Sequence, residues 1–278
     1  MKYEKEFTVA LAGNPNVGKS TVFNALTGLK QHTGNWVGKT VGNAAGSYTY
    51  NNNKYLITDL PGTYSLCAHS AEEIIACRHI CLEKPDVTVI VCDASCLERN
   101  LNLVLQITEI TSKAVLCVNM MDEAGKKNIK TDITKLSQQI GIPGAATSAR
   151  IKKGLDKLMQ AIESVALSKE SNDIMLVYTS RIENAISQLL PLSEKIETDS
   201  RTKRFICLKL LQGDRDTVDS LCKKYGTDEN YLKALISAAD RLTDHDFTDE
   251  IISCIFITAE GIAAECVKHS ADKKCVRE

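Results

Sequence analysis

The stretch GNPNVGKS (Gly13–Ser20) follows the apolar run FTVALA (Phe7–Ala12) and leads into STVFNAL (Ser20–Leu26). The run reads as a buried strand and the continuation as the start of a helix. Between them stands G-x-x-x-x-G-K-S, the spacing of a phosphate-binding loop. Its glycines let successive backbone N–H groups turn inward into an anion nest, and the helix adds its positive end. In such a loop Lys19 reaches the β- and γ-phosphates and the Ser20 hydroxyl ligates Mg²⁺. Gly13, Asn14, Pro15, Asn16, Val17, Gly18, Lys19, Ser20 and Thr21 are therefore the candidate phosphate contacts, with Asn14 expected to support the loop's geometry.

Outward from this loop, segments to about residue 165 alternate. Strand patterns fall at 7–12, 43–50, 54–58, 87–92, 114–118 and 143–147. Helix patterns fall at 19–28, 71–83, 99–112, 132–140 and 154–167. The alternation predicts an α/β fold with a mostly parallel six-stranded sheet. VTVIVC and AVLCV are continuously apolar, as strands covered on both faces should be. Asn51-Asn-Asn53 is turn-prone and predicts an antiparallel hairpin between 43–50 and 54–58. The polar segment Ser168–Asp173 reads as a linker. Beyond it Ile174–Tyr178 is expected as one short strand, and helices at 179–190, 202–212, 214–225, 228–241 and 247–268 as a small bundle. Asp214, Asp228 and Asp246 are candidate N-caps, and Gly226 a candidate C-cap. The domains expected are residues 1–170, binding nucleotide, 171–270, all helical, and a tail at 271–278.

Composition narrows the class. The chain has 278 residues, 44% hydrophobic and 25% charged, with net charge −1. That balance suits a soluble protein and gives no basic footprint for nucleic acid. No apolar run approaches the ~18 residues of a membrane span, and MKYEKEF lacks the apolar core of a signal peptide. The 11 cysteines are odd in number and several sit in strand-like runs, so free thiols in a reducing compartment are expected. Cys77 and Cys81, near His69 and His79, share a helix face. That spacing suits a metal or a core stripe with Ile74 and Leu82, and the stripe is favoured.

Four further pieces select the nucleotide. Asp59-Leu60-Pro61-Gly62 fits D-x-x-G, with Asp59 holding Mg²⁺ through water and the Gly62 N–H on the γ-phosphate. Asn119-Met120-Met121-Asp122 fits N-x-x-D. There the Asp122 carboxylate accepts from the ring N–H and exocyclic amine of guanine. Adenine lacks both donors, and a site built for polar groups rejects such an analogue. Asn119 ties this loop to the phosphate loop, and Met120 packs on the purine. Thr147-Ser148-Ala149 fits the S-A base loop, with the Ala149 N–H on the guanine carbonyl. Thr40, preferred over Thr33, would complete Mg²⁺ coordination and sense the γ-phosphate. Thr63, directly after D-x-x-G, is too short to orient a water as glutamine does in Ras-like enzymes. Glu72 and Glu73 could contact the helical half or simply start a helix.

GNPNVGKS, HTGNWVGKTVG (His32–Gly42), DLPGTYSL (Asp59–Leu66) and NMMD together resemble the cytosolic GTPase domain of the ferrous iron transport protein B (FeoB) family. CLKLLQGD (Cys207–Asp214) is similar to that family's helical domain. The resemblance spans essentially the whole chain. Val37 stands where proline is common and Val17 where serine is common. It implies a P-loop NTPase of Ras-like G-domain type followed by a small all-helical domain. It also implies GTP/GDP and Mg²⁺ as ligands, and slow hydrolysis regulating ferrous iron transport across the bacterial inner membrane. The implied place is the membrane's cytoplasmic face, the chain itself being soluble. The implied partner is the family's transmembrane portion, which has no counterpart in these residues: a piece of a longer protein or a soluble paralogue. No nucleic-acid partner is implied, and an oligomer is left open. In related GTPases an asparagine at the position of Asn16 helps hold K⁺, with carbonyls of His32–Lys39. Asn16 (K⁺), Lys19, Thr40 and Gly62 are then the catalytic candidates, and Gly38 and Thr40 the switch contacts. The rival is an Era-type GTPase acting in RNA or ribosome maturation. Residues 173–278 carry no excess of Lys and Arg over Asp and Glu, which disfavours it.

Overall fold

A computed structural model describes residues 3–28, 44–66, 70–168, 174–242 and 247–269. β1 (Glu6–Gly13), β3 (Asn53–Asp59), β4 (Val87–Asp93), β5 (Ala114–Asn119) and β7 (Gly144–Ala146) run parallel, and β2 (Ala44–Tyr50) closes one edge antiparallel to β3. The order is β2-β3-β1-β4-β5-β7, the six-stranded sheet expected. Asn51 and Asn52 take φ of 45° and 61°, the left-handed pair that a tight hairpin turn demands.

Alternation along the strands sorts the core into two layers. Val9, Leu11, Val89, Val91 and Val115 pack under α1 (Lys19–Thr27) and α6 (Leu155–Leu167). Ala10, Ala12, Ile90, Leu116 and Val118 face the other way, onto a core that includes α2 (Ala71–Arg78) and α3 (Leu97–Ile110). That second core runs on without interruption into the helical half: α7 (Ser180–Leu189), α8 (Ser200–Leu211), α9 (Arg215–Lys224), α10 (Glu229–Leu242) and α11 (Thr248–Cys266). α11 lies along α3.

Several expectations need correction. Ile174–Tyr178 is not a strand. Its backbone is satisfied by side chains instead of a ladder: the Leu176 N–H donates to Glu109 Oε1 (2.9 Å), the Tyr178 N–H to Glu183 Oε1 (2.9 Å), and Arg204 Nη2 to the Leu176 carbonyl (3.1 Å). The helix expected at 71–83 is α-helical only to Arg78 and finishes as one π-helical turn, His79–Glu83. α3 starts two residues early, after a 3₁₀ turn at Ala94–Cys96. α4 (Met121–Lys126), α5 (Ile133–Ile140) and β6 (Ile129–Thr131) follow β5, and of these only α5 was expected. β6 pairs antiparallel with β8 (Val267–His269), beyond the end of α11. Asp214 caps α9 by accepting from the Thr217 N–H, and Asp228 accepts from the Tyr231 N–H at the start of α10. Gly226 has φ of 64° just past α9. Asp246 lies outside the described residues, as does His69.

Cys77 and Cys81 are both buried, their sulfurs 3.7 Å apart, inside the core stripe. Among the described residues no cluster of His, Cys, Asp and Glu is placed to hold a metal, and the nine described cysteines are free thiols. Among them, too, no helix is long and apolar enough to cross a membrane.

Candidate nucleotide site

β1, β3, β5 and β7 all end on one edge of the sheet, and each end carries a motif residue or leads into one. Ligands of open α/β sheets bind at such carboxyl ends. Gly13 closes β1, and α1 begins at Lys19 after Gly18, which takes φ of 81°. A side chain at Gly18 would be strained, and its Cβ would stand 2.6 Å from Asn119 Nδ2. The first turn of α1 has no side-chain cap, so its N–H groups face the loop unspent by one. Asn16 is exposed, with φ of 66°. Val17 is buried; Pro15, Ser20 and Thr21 are partly so.

Asn14 is 3% exposed, and among the described residues neither its amide oxygen nor its nitrogen has a hydrogen-bond partner. Among these residues its side chain meets the loop by packing alone.

The Lys19 ammonium reaches from α1 to the Asp59 carboxylate and the Leu60 carbonyl. Ser20 Oγ donates to Asp59 Oδ2 at 3.2 Å. A hydroxyl and a carboxylate thus stand together, the hard oxygen pair that suits Mg²⁺. Leu60 is buried and Pro61 partly so. Gly62 lies against the phosphate loop: a Cβ there would come within 3.2 Å of Pro15 Cα. The Thr63 N–H donates to the Gly13 carbonyl (3.2 Å), and its hydroxyl turns to the Ser65 carbonyl (2.6 Å). Glu73 forms a capping box with Ser70, which accounts for it as a helix start.

The base motif is tightly knit. Asn119 Nδ2 donates to the Val17 carbonyl (3.1 Å), the tie between loops expected from sequence. Asn119 Oδ1 accepts from the Thr147 hydroxyl (3.1 Å) and the Ala149 N–H (3.0 Å). The Ala149 N–H is therefore committed to Asn119, where it was expected to meet a guanine carbonyl. Met120 adopts φ of 60°, and its Cε lies 3.1 Å from where a Gly18 Cβ would be, against the phosphate loop. The Asp122 N–H donates to Ser148 Oγ (3.1 Å), and Arg150 Nη2 stands 3.8 Å from its carboxylate. Desolvation pushes that carboxyl up, but the Ser148 hydroxyl, the backbone and Arg150 outweigh it and hold it below its ordinary value. Gly38, Thr40, the rival Thr33 and the carbonyls of 32–39 lie outside the described residues. Sequence reasoning gave no role to Thr147 or Cys117, which stand directly behind Asn119. A hydroxyl two residues before Ala149 was the one available signal.

A family model described as ferrous iron transport protein B matches residues 7–162, and a second, the FeoB cytosolic helical domain, matches 178–268. The chain belongs to the FeoB family. The Fe(2+) transporter FeoB of Escherichia coli K12 is 36% identical over 215 residues, covering 76% of this chain and 27% of the relative. The chain thus spans about a quarter of the length of the curated relatives it matches. The cytosolic domain of the T. maritima FeoB iron transporter in its GMPPNP form is 30% identical, with a TM-score of 0.76 over 95% of this chain and 100% of that one. An S. thermophilus NFeoB variant bound to GDP·AlF4− is also 30% identical, with a TM-score of 0.76 over 92% and 99%.

Proposed function

We propose that this chain is a GTPase that binds GTP with Mg²⁺, hydrolyses it slowly to GDP and phosphate, and thereby regulates ferrous iron transport by a membrane portion found in its longer relatives. The observation that carries the reading is the knot around Asn119. One amide joins the phosphate loop (Val17) to the base loop (Thr147, Ala149), with Asp122 held beside it by Ser148. The FeoB structures with GDP·AlF4− and GMPPNP support the same assignment. Residues 1–170 would form the nucleotide domain, 171–270 the helical domain and 271–278 a tail. The site of action would be the cytoplasmic face of the inner membrane.

In this reading the loop N–H groups and the start of α1 bind the phosphates, and Lys19 exchanges Asp59 for phosphate oxygens. Ser20 and Asp59 hold Mg²⁺, with Thr40 as its switch ligand. When bound, the ion neutralises charge developing on the phosphates. The Asn119 amide retains one hydrogen beyond its bond to Val17, available to a purine ring nitrogen. Asp122 accepts from the guanine edge.

Thr63 positions no water, so unassisted turnover on the order of 10⁻⁴–10⁻² s⁻¹ is expected. Exposed Asn16, at the turn of the loop, would ligate K⁺, which supplies positive charge where an arginine finger otherwise does. The deciding experiment is calorimetry with GTP and ATP plus Mg²⁺, and turnover in K⁺ and Na⁺. GTP should bind and ATP should not, and K⁺ should accelerate hydrolysis through Asn16. Preference for ATP would overturn the GTPase reading. Equal rates in the two salts would overturn the K⁺ assignment alone.

A further inference from the structure

Counting protons fixes the direction of a hydrogen-bond chain behind Asn119. The Thr147 hydroxyl lies 3.1 Å from Asn119 Oδ1 and 3.3 Å from Cys117 Sγ. It owns one proton, and an amide oxygen only accepts, so that proton goes to Asn119. The Cys117 thiol must then donate to Thr147. The same logic orients the amide. Oδ1 faces two donors, Thr147 and Ala149, while Nδ2 faces the Val17 carbonyl. Reversing the amide would set donor against donor and acceptor against acceptor. Cys117, Asn119 and Thr147 are at most 2% exposed, so no water replaces a lost partner cheaply. Burial also pushes the Cys117 thiol up to about 12, so it keeps the proton it donates at neutral pH.

We propose that Cys117 is a positioning residue for base recognition: its S–H locks the Thr147 rotor, and Thr147 in turn holds the Asn119 amide in the one orientation that meets a purine. This rests on the guanine-site reading above. Cys117 touches no substrate and acts only through Thr147 and Asn119.

The test compares Cys117→Val, which fills the volume without a donor, with Cys117→Ser, which keeps a donor in less volume. GDP release, read with a fluorescent GDP, should quicken about three- to tenfold in Cys117→Val and stay within about twofold of wild type in Cys117→Ser. Thermal stability without nucleotide should rank the other way, because valine is the better buried strand residue. A purely structural role would rank the two variants alike in both measurements. Release unchanged in Cys117→Val, or faster in Cys117→Ser than in Cys117→Val, overturns the proposal.

A second readout needs no nucleotide. The infrared S–H band of Cys117, assigned by difference against Cys117→Val, should lie at the lowered frequency of a donating thiol and rise in Thr147→Val. A band that does not move overturns the chain itself. If wild type binds GDP no better than ADP, the guanine reading fails and the positioning role with it. A shifted band would then still report the Cys117–Thr147 bond, which separates the two failures.

Discussion

The Lys209 ammonium, on α8, lies 2.9 Å from the carbonyl oxygen of Leu66, across a sequence separation of 143 residues. Lys209 is 4% exposed and pairs with Asp214 at 3.3 Å. The Leu66 N–H goes instead to Gln106 Oε1 on α3 (2.7 Å). One residue just past the D-x-x-G motif is thus gripped by the helical half through its carbonyl and by the sheet half through its amide.

Lys209→Met keeps most of the stem and removes the charge. It strands the Leu66 carbonyl and takes a partner from Asp214. Stability should fall by roughly 1–3 kcal/mol, and hydrogen exchange across residues 63–66 should quicken. Unchanged exchange there, measured by mass spectrometry, would mean that Lys209 does not restrain this segment.

Glu109, 3% exposed at the junction of the two halves, gives a pH signature. Burial raises its carboxyl from the ordinary 4.5 to about 7, against the pull of Arg204 and the Leu176 N–H. Between those values the folded chain keeps a proton that the unfolded chain has lost. The contribution is therefore fully present below 4.5 and is lost as pH rises to about 7, a span of about 3 kcal/mol. Glu109→Gln cannot ionise. Urea unfolding at pH 5, 6, 7 and 8 should show wild type losing ground to the variant up to about pH 7 and no further. A constant difference would count against the raised value.

Gly18→Ala tests the approach of the two loops. The new Cβ would meet Asn119 Nδ2 at 2.6 Å on a backbone with φ of 81°. GDP affinity should fall at least about 100-fold, with a stability loss of roughly 1–3 kcal/mol. Titration calorimetry and thermal melting read the two effects separately, and intact affinity would show that the loops can part without harm.

Asp122→Asn replaces an acceptor by an amide that can also donate. GDP affinity should drop at least about 100-fold, while xanthosine diphosphate, which offers a carbonyl where guanine has its amine, should gain. Competition against a fluorescent nucleotide measures both. An undiminished preference for GDP would place base recognition elsewhere.

The legible parts of this fold were those written in local chemistry. GNPNVGKS, DLPG and NMMD each follow a strand's apolar run with residues that suit a turn, and the structure puts them on one sheet edge. Asn51 and Asn52 announced the hairpin because their type tolerates the left-handed turn. What escaped depends on distant partners. Ile174–Tyr178 has a strand's composition, but its N–H groups meet Glu109 and Glu183, and Glu109 is 67 positions from Leu176. The commitment of the Ala149 N–H to Asn119 depends on how two loops 30 residues apart close on each other. α4 has six residues, too few for a periodic pattern to emerge.

The three-residue ladder of β6 and β8 carries a mechanical consequence. Ile129 faces His269 and Thr131 faces Val267, and the Asp132 N–H also donates to the Cys266 carbonyl (2.9 Å). The far end of the longest helix is thereby stitched to the strand that emerges from α4, the helix that carries Asp122. A tug on the polypeptide near His269 is borne first by those rungs, a few residues along the chain from Asp122, before it strains the rest of the bundle.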